Sequence, residues 1–204
     1  MKNLKTFKTI SIFAFALFAI TILSMSCSKN DDPIAVTPVT TLAPEQDPLQ
    51  GYLAASGFNQ VTTNRINQGD IETGYSFIPL VNGKMTAIVV KIPDANPTLR
   101  VTIWDKTTSS IISTEILNIN SANTEIIKPI IPLELVKDKE YVISMNTNDH
   151  YRRTKNDNSN ATYPFTVGDI KITGCLGNIG TSQTFPTIEP VDLYLGDCSF
   201  KFQK

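Results

Sequence analysis

Residues 84–105 read KMTAIVVKIPDANPTLRVTIWD and decide the fold of this chain. Residues 84–92 and 98–105 are rich in β-branched side chains, which favour strands. The segment Pro-Asp-Ala-Asn-Pro between them is a turn signal, because Pro fixes φ and the side chain of Asp or Asn can close a turn. The pattern predicts a hairpin at the centre of a sheet. Its apolar side chains exceed what one sheet face can bury, so we expect a second layer.

Strand patterns separated by turn signals continue from residue 58 to the end of the chain. The predicted strands are residues 58–63, 74–80, 85–92, 98–105, 111–119, 125–133, 140–146, 170–173 and 192–202. Asn82-Gly83 is the strongest short hairpin signal, and Pro129 and Pro132 predict an edge position or a kinked crossing for the sixth strand. No segment of helical length keeps an apolar period of 3.6 residues. We therefore predict an all-β fold, an antiparallel β-sandwich that is jelly-roll-like and has about nine strands.

The N-terminal residues 1–26 have the pattern of a secretory signal. Lys2, Lys5 and Lys8 precede an apolar run over residues 10–23, and small residues follow before Cys27. The apolar run is too short for a comfortable membrane span. We predict that residues 1–26 are a signal peptide, which is removed on export.

Cys27 ends the sequence Leu-Ser-Met-Ser-Cys and precedes Ser-Lys-Asn-Asp-Asp. This motif resembles the lipobox of bacterial lipoproteins, although Leu23 stands four residues before the cysteine, whereas lipoboxes usually have the leucine at three. The resemblance implies that Cys27 is acylated and anchors the chain to a membrane, because two or more acyl chains give stable anchoring. Asp31 and Asp32 resemble a surface-export signal of some Gram-negative bacteria, which implies an outer-membrane or cell-surface location. The alternative is an uncleaved N-terminal helix with an incidental cysteine.

Residues 27–50 contain prolines at positions 33, 38, 44 and 48 and have no apolar periodicity. Proline prevents continuous sheet pairing and biases the residue before it to extended conformations. We predict that residues 27–50 are a lipoprotein tether and that residues 51–204 are the β-sandwich domain.

The charge balance argues against one class of partner. The chain has 18 basic and 19 acidic residues, and loss of the three lysines of the signal leaves 15 basic residues and a net charge of −4. A mildly acidic surface gives no electrostatic reason to bind nucleic acid.

Cys175 and Cys198 are the cysteines of the predicted domain. An exported domain meets an oxidising compartment, so we predict a disulfide between them, with two unpaired thiols as the alternative. The bond would close a loop of about 24 residues and stabilise the domain by on the order of 3 kcal/mol.

The longest polar stretch between predicted strands is residues 146–168. Long loops in compact domains are often binding loops, and aromatic faces beside hydrogen-bond donors suit a sugar or a peptide. The candidate ligand-binding residues in this stretch are His150, Tyr151, Arg152, Arg153 and Tyr163. The alternative is an ordinary solvated loop.

Catalytic signatures are absent from the sequence. It has one histidine, no GxSxG and no HExxH, so serine-hydrolase and zinc chemistry are disfavoured and no metal or other cofactor is predicted. A glycosidase pair among Asp70, Glu72, Asp192 and Asp197 stays open, and so does a structural calcium, although strand-end acids are common. Trp104 is either a core residue or an exposed sugar platform.

Several segments together carry a family resemblance. They are residues 72–88 with ETGYSFIPLVNGKMTAI, the Trp104 strand, residues 132–144 with Lys139-Glu-Tyr-Val142, Asn148-Asp-His-Tyr151, Phe185-Pro186 and the last strand. Over about residues 70–202 the chain resembles the uncharacterised bacterial domain family 4082. The resemblance implies an extracellular β-sandwich, often attached to larger surface proteins, and it favours a core role for Trp104. It carries no established activity.

The chain departs from the family pattern at two places. Residues 93–97, Pro-Asp-Ala-Asn-Pro, replace a glycine-rich segment, and Tyr194 is what remains of an aromatic pair in the final strand. From these patterns together we expect a lipid-anchored cell-envelope protein that is a non-catalytic binding or adhesion module for a carbohydrate or a surface protein. The alternatives are an accessory subunit of a surface complex and a glycoside hydrolase.

Overall fold

The computed structural model describes residues 43–204. The predicted signal peptide, the lipidation site Cys27 and most of the predicted tether lie outside the described residues. The elements are α1 Pro48–Ser56, β1 Val61–Arg65, β2 Ile71–Pro79, β3 Gly83–Val90, β4 Asn96–Asp105, β5 Ser110–Ile119, β6 Ile126–Leu135, β7 Tyr141–Thr147, β8 His150–Thr154, β9 Phe165–Val167, β10 Ile170–Ile179, β11 Leu193–Leu195 and β12 Cys198–Gln203. In this part of the chain no helix has the length and apolar character to cross a membrane.

Two antiparallel sheets pack face to face around the main core. The larger has six strands in the order β5-β4-β7-β2-β10-β9, and the smaller has three in the order β12-β3-β6. Side chains of the two sheets meet directly, since the ring centroids of Phe77 on β2 and Phe200 on β12 are 4.5 Å apart. The predicted all-β antiparallel sandwich is confirmed, with twelve strands in residues 43–204 where about nine were expected.

A second three-stranded sheet, in the order β1-β8-β11, packs against the same core. Tyr194 of β11 is fully buried, and its ring centroid lies 6.4 Å from that of Tyr75 on β2 and 5.4 Å from that of Tyr52 on α1. Aromatic pairs at these separations add to the stabilisation from buried area. This small sheet carries most of the predicted ligand-binding residues.

Both predicted hairpins are wrong, because the chain changes sheet at each turn. β3 pairs with β6 and β12, whereas β2 and β4 belong to the six-stranded sheet. Residues 91–95 therefore connect two layers, and so do residues 80–82. A type I′ hairpin turn needs positive φ at both central residues, and neither Asn82 nor Gly83 has it. Gly83 packs instead against the ring of Phe202, where a side chain would collide.

The edge position predicted for the proline-containing strand is confirmed. β6 pairs with β3 and lies at the end of its sheet, and Pro129 and Pro132 are both within it. Proline cannot donate a ladder hydrogen bond, so an edge is the place where a strand can contain it.

Helix α1 lies where the tether was predicted to end. Asp47 caps it by accepting a hydrogen bond from the Leu49 N–H at 3.1 Å, Pro48 is its first residue, and Gly57 ends it with φ of 79°. These are ordinary helix start and stop signals. Leu49 and Tyr52 are buried in the main core. The folded part therefore begins before the predicted boundary at Gly51.

Candidate functional site

The predicted binding loop, residues 146–168, contains two strands. β8 is the central strand of the small sheet, and β9 pairs with β10 at the edge of the six-stranded sheet. The prediction of a single long loop is therefore wrong. It failed because the polar side chains of β8 find partners within the fold, so the strand lacks the apolar alternation by which strands are recognised.

Side chains alternate along β8, so the predicted ligand-binding residues divide between two faces. Arg153 stands opposite Tyr194 on one face, which it shares with Tyr151. Arg152 stands opposite Leu195 on the other face, which it shares with His150. The residues predicted as one site are thus not one site.

Arg153 and Tyr151 are engaged within the fold. The Arg153 guanidinium donates to both carboxylate oxygens of Asp197, whose side chain is only 4% exposed. The Tyr151 hydroxyl donates to Asn123 Oδ1 at 2.7 Å, and the Arg153 guanidinium lies over the Tyr151 ring. These polar groups stabilise the small sheet and are not available to a ligand.

Tyr163 lies among different neighbours. Its hydroxyl is 2.6 Å from the hydroxyl of Tyr52, and its ring packs edge-on against Phe165. Burial raises the pKa of Tyr163 above its usual range. Tyr163 thus helps to hold α1 against the sheet.

His150 is buried, and its Nδ1 atom has no hydrogen-bond partner in the fold. Burial lowers the pKa of His150, the Arg65 guanidinium lowers it further, and Asp149 opposes the shift. The imidazole is therefore neutral at pH 7. Residues 43–204 hold no group of three or more His, Cys, Asp or Glu side chains placed to bind a metal ion.

Cys175 and Cys198 are free thiols, so the predicted disulfide is wrong. The two residues lie on strands of different sheets, β10 and β12, and both are buried. The buried ring of Tyr194 lies close to both thiols. Bonded cysteines need Cα atoms within about 7 Å and Cβ atoms directed at each other, which sequence spacing cannot reveal.

Trp104 is buried on the outer face of the six-stranded sheet, so the favoured core role is confirmed. Its indole N–H donates a hydrogen bond to Ser144 Oγ at 2.8 Å. The ring of Phe185 packs edge-on against the indole, with the two ring centroids 5.8 Å apart. Residues 180–186, which we call the strap, cover this face. The Gly180 carbonyl of the strap accepts a hydrogen bond from Asn146 at 2.9 Å.

Glu72 is the buried acid beneath the strap and is 1% exposed. Ser144 donates to one of its carboxylate oxygens, and Arg100 donates to the other at 2.9 Å. Arg100 also donates to the Thr181 carbonyl of the strap at 3.2 Å. A buried charge that is paired and hydrogen-bonded on both oxygens is a fixed structural element.

An apolar cleft of about 230 Å³ opens beside the strap. Its wall is made of aliphatic side chains: Ile71, Leu176, Ile179, Ile188, Leu193 and Leu195. Glu72 is the one acidic residue that lines it. The rim residues Ile179 and Ile188 are 86% and 52% exposed, which is unusual for large aliphatic side chains lying together.

The cleft lies at one end of the sandwich. Ile71 pairs with Ile179 at this end of β2 and β10, and Pro79 pairs with Ile170 at the other end. Gln46, near the start of the described residues, is hydrogen-bonded to Asp169 beside Ile170. β2 has nine residues, so the two ends are about 26 Å apart at a rise of about 3.3 Å per residue. We call the cleft the distal cleft because it lies opposite the end where the N-terminal segment joins the fold.

Comparisons with protein-family models and with curated proteins find no match to this chain. The resemblance to domain family 4082 therefore stays a prediction. The described residues define a class of protein, an antiparallel β-sandwich with an apolar cleft at one end.

The distal cleft was not found from the sequence. Its lining comes from β2, β10, β11 and residues 188–190, which are far apart along the chain. Glu72 was considered as a candidate for a glycosidase pair or as a strand-end acid, and not as part of an apolar cleft. The available signal was the pair of isoleucines, Ile179 and Ile188, within a stretch that is otherwise mostly polar. A sequence does not show that such residues share a rim.

Proposed function

We propose that this chain is a lipid-anchored, non-catalytic module of the cell envelope that binds another surface protein through the distal cleft. The lipobox-like motif at Cys27 and the proline-containing tether support an outer-membrane or cell-surface location. The tether joins the fold at the end opposite the cleft. An anchor that reaches the fold from this end leaves the cleft accessible to other surface molecules.

The observation that carries this proposal is the exposed aliphatic rim. Ile179 and Ile188 lie beside a cleft with aliphatic walls and are largely accessible to water. Removing apolar surface from water when a partner binds contributes about 25 cal/mol per Å² to the binding free energy. Grouped exposed apolar side chains mark interaction sites on soluble domains. The chemistry of this rim favours an apolar contact from a partner.

A protein partner fits this surface better than a carbohydrate. Sugars stack on accessible aromatic faces, and every Phe, Tyr and Trp side chain in residues 43–204 is buried or half-buried. The cleft volume of about 230 Å³ is also below the roughly 300–1,000 Å³ of pockets that enclose a small molecule. One large aliphatic side chain suits the space.

The hydrolase alternative needs two carboxylates about 5 to 10 Å apart at one cavity. Glu72 is the one acidic residue that lines the distal cleft, and both of its carboxylate oxygens are hydrogen-bonded to the fold. Two further cavities in the described residues are lined by one acid each, Glu189 and Glu134. This arrangement supports binding over glycoside hydrolysis.

An accessory subunit of a surface complex is the second candidate, and it would use the same surface permanently. Tyr151 is buried and Tyr163 is half-buried, so neither offers a partner much contact. The rim isoleucines are therefore the residues to test for either role. A complex that survives purification would favour the accessory subunit over a transient binder.

The test of binding places a photo-crosslinking residue at position 188 of the full chain in the cells that produce it. Position 131 is the matched control, because Ile131 is 92% exposed on edge strand β6. We expect a discrete protein adduct at position 188 that is absent at position 131. The adduct protein, once purified, should bind the full chain and lose that binding when Leu193→Arg blocks the cleft. An absent adduct at position 188, or the same adduct at both positions, contradicts the proposal.

The anchor is tested separately by Cys27→Ser. We expect the wild-type chain in the membrane fraction with a mass increase from acylation, and the variant released from that fraction. A wild-type chain without acyl groups contradicts the lipid anchor but leaves the distal cleft to be tested by crosslinking.

A further inference from the structure

A second cavity adjoins the distal cleft. It has a volume of about 430 Å³, and Pro190 lines both cavities. We call it the polar groove, because its lining includes amide, hydroxyl and carboxylate groups. Its lining residues include Asn160, Thr162, Tyr163, Thr173, Cys175 and Glu189. The two cavities are thus neighbours that share Pro190 in their lining.

The charged lining of the two cavities is acidic. Glu72 in the distal cleft is neutralised by Arg100, whereas Glu189 in the polar groove takes part in none of the ion pairs of the described residues. Lys155 approaches the groove by donating to the Asn160 carbonyl, but it does not line the groove. An unpaired, exposed carboxylate there complements a positively charged group.

The polar groove also opens onto strand backbone. β9 pairs with β10 over residues 170–172 only, and the next backbone pairing on that side is between Gly177 and Ile188. Residues 173–176 of β10 therefore have no strand partner on the groove side within residues 43–204, although the Tyr163 hydroxyl is hydrogen-bonded to the backbone of Cys175. An extended peptide is the kind of ligand that lies along such an edge.

These features together define one occupant. We infer that the distal cleft and the polar groove are two subsites for one extended segment of the partner protein. A large aliphatic side chain of the segment occupies the cleft, and a lysine or arginine two positions away occupies the groove beside Glu189. Side chains two positions apart on an extended chain point the same way and lie about 7 Å apart, which suits two cavities that share Pro190. The inference rests on the proposed function and adds the chemistry of the partner segment.

The test measures binding of labelled peptides to the full chain in detergent by fluorescence anisotropy. The probes are hexapeptides with leucine and lysine two positions apart, in both orders, on a background of glycine and serine. In the order that binds, replacing leucine by serine should lower affinity about tenfold. Replacing lysine by glutamine should lower it about fivefold, because the ion pair is exposed.

The protein variant Glu189→Gln should abolish the preference for lysine over glutamine while leaving affinity for the glutamine peptide unchanged. Glu134→Gln is the matched control, because Glu134 is an exposed acid at a different cavity. It should alter neither affinity.

Two results would overturn the inference. One is a lysine preference that persists in Glu189→Gln. The other is no binding of either peptide order at about 1 mM. Neither result would contradict the proposed function. Crosslinking at position 188 tests independently whether a protein occupies the distal cleft.

Discussion

Glu72 and Arg100 form an ion pair of 2.9 Å beneath the strap, and Glu72 is also one of the residues that line the distal cleft. The same guanidinium holds the Thr181 carbonyl of the strap. One buried interaction therefore fixes both the wall of the cleft and the segment beside it. This coupling links the stability of the fold to the shape of the site.

Arg100→Met should destabilise the domain by about 3 kcal/mol, because it leaves the Glu72 carboxylate buried and unpaired. The double variant Glu72→Leu with Arg100→Met should recover most of that loss, since no charge is left buried. Urea unfolding of the three proteins measures the difference. A double variant as unstable as the single one would show that the hydrogen bonds to the strap, and not the charge pair, dominate.

A chain that begins at residue 51 should be less stable than one that begins at residue 43. It loses the Asp47 cap and the buried side chain of Leu49. These losses amount to about 3 kcal/mol and on the order of 10 °C in Tm. Thermal unfolding of the two truncated chains tests the prediction. Equal Tm values would place the boundary of the folded part at Gly51 after all.

The thiols of Cys175 and Cys198 should resist a thiol reagent until the domain unfolds. Burial raises the pKa of Cys175 to about 12 and raises that of Cys198 as well, so neither is a thiolate at pH 8. In a chain that begins at residue 43 and has not been treated with a reducing agent, no thiol should react in the native state. Two thiols should react once the chain is unfolded. Fewer than two in the unfolded chain would mean that the cysteines are bonded.

The stability of the domain should fall on acidification partly through His150. Its pKa is lowered in the fold by burial and by Arg65, against the opposing effect of Asp149, so the unfolded chain binds the proton more readily. This contribution is present above the unfolded pKa of about 6.5 and is lost as the pH falls below it. His150→Gln should therefore lose less stability than wild type between pH 7.5 and pH 5.5. Parallel losses in the two proteins would rule out this contribution.

Much of the fold was predictable from the sequence, because strand composition and proline placement are local signals. Strands β3, β4 and β7 were found with nearly correct bounds, and β6 was assigned to an edge because of Pro129 and Pro132. Pairing was not predictable, since a turn signal such as Asn82-Gly83 does not reveal whether the next strand stays in the same sheet. Helix α1 was missed because its start and stop signals lie in a proline-containing segment and its apolar face is short.

The candidate site was mostly beyond sequence reasoning. Arg153 and His150 were singled out for their chemistry, yet Arg153 is bound to Asp197 and His150 is buried. Ile179 and Ile188 carry the proposed contact, and each looks like a stray apolar residue in a polar stretch. Only the bridge between Gly177 and Ile188 brings them to one rim.

The most direct measurement of the central claim is the accessibility of the distal rim on intact cells. Ile188→Cys and Ile131→Cys would each be labelled with a membrane-impermeant maleimide. Cys175 and Cys198 do not interfere because both are buried, and the wild-type chain measures any labelling of Cys27. If a partner covers the distal cleft, position 188 reacts much more slowly on cells than in the purified chain, whereas position 131 reacts equally in both. Equal rates at position 188 on cells and in the purified chain would contradict the account.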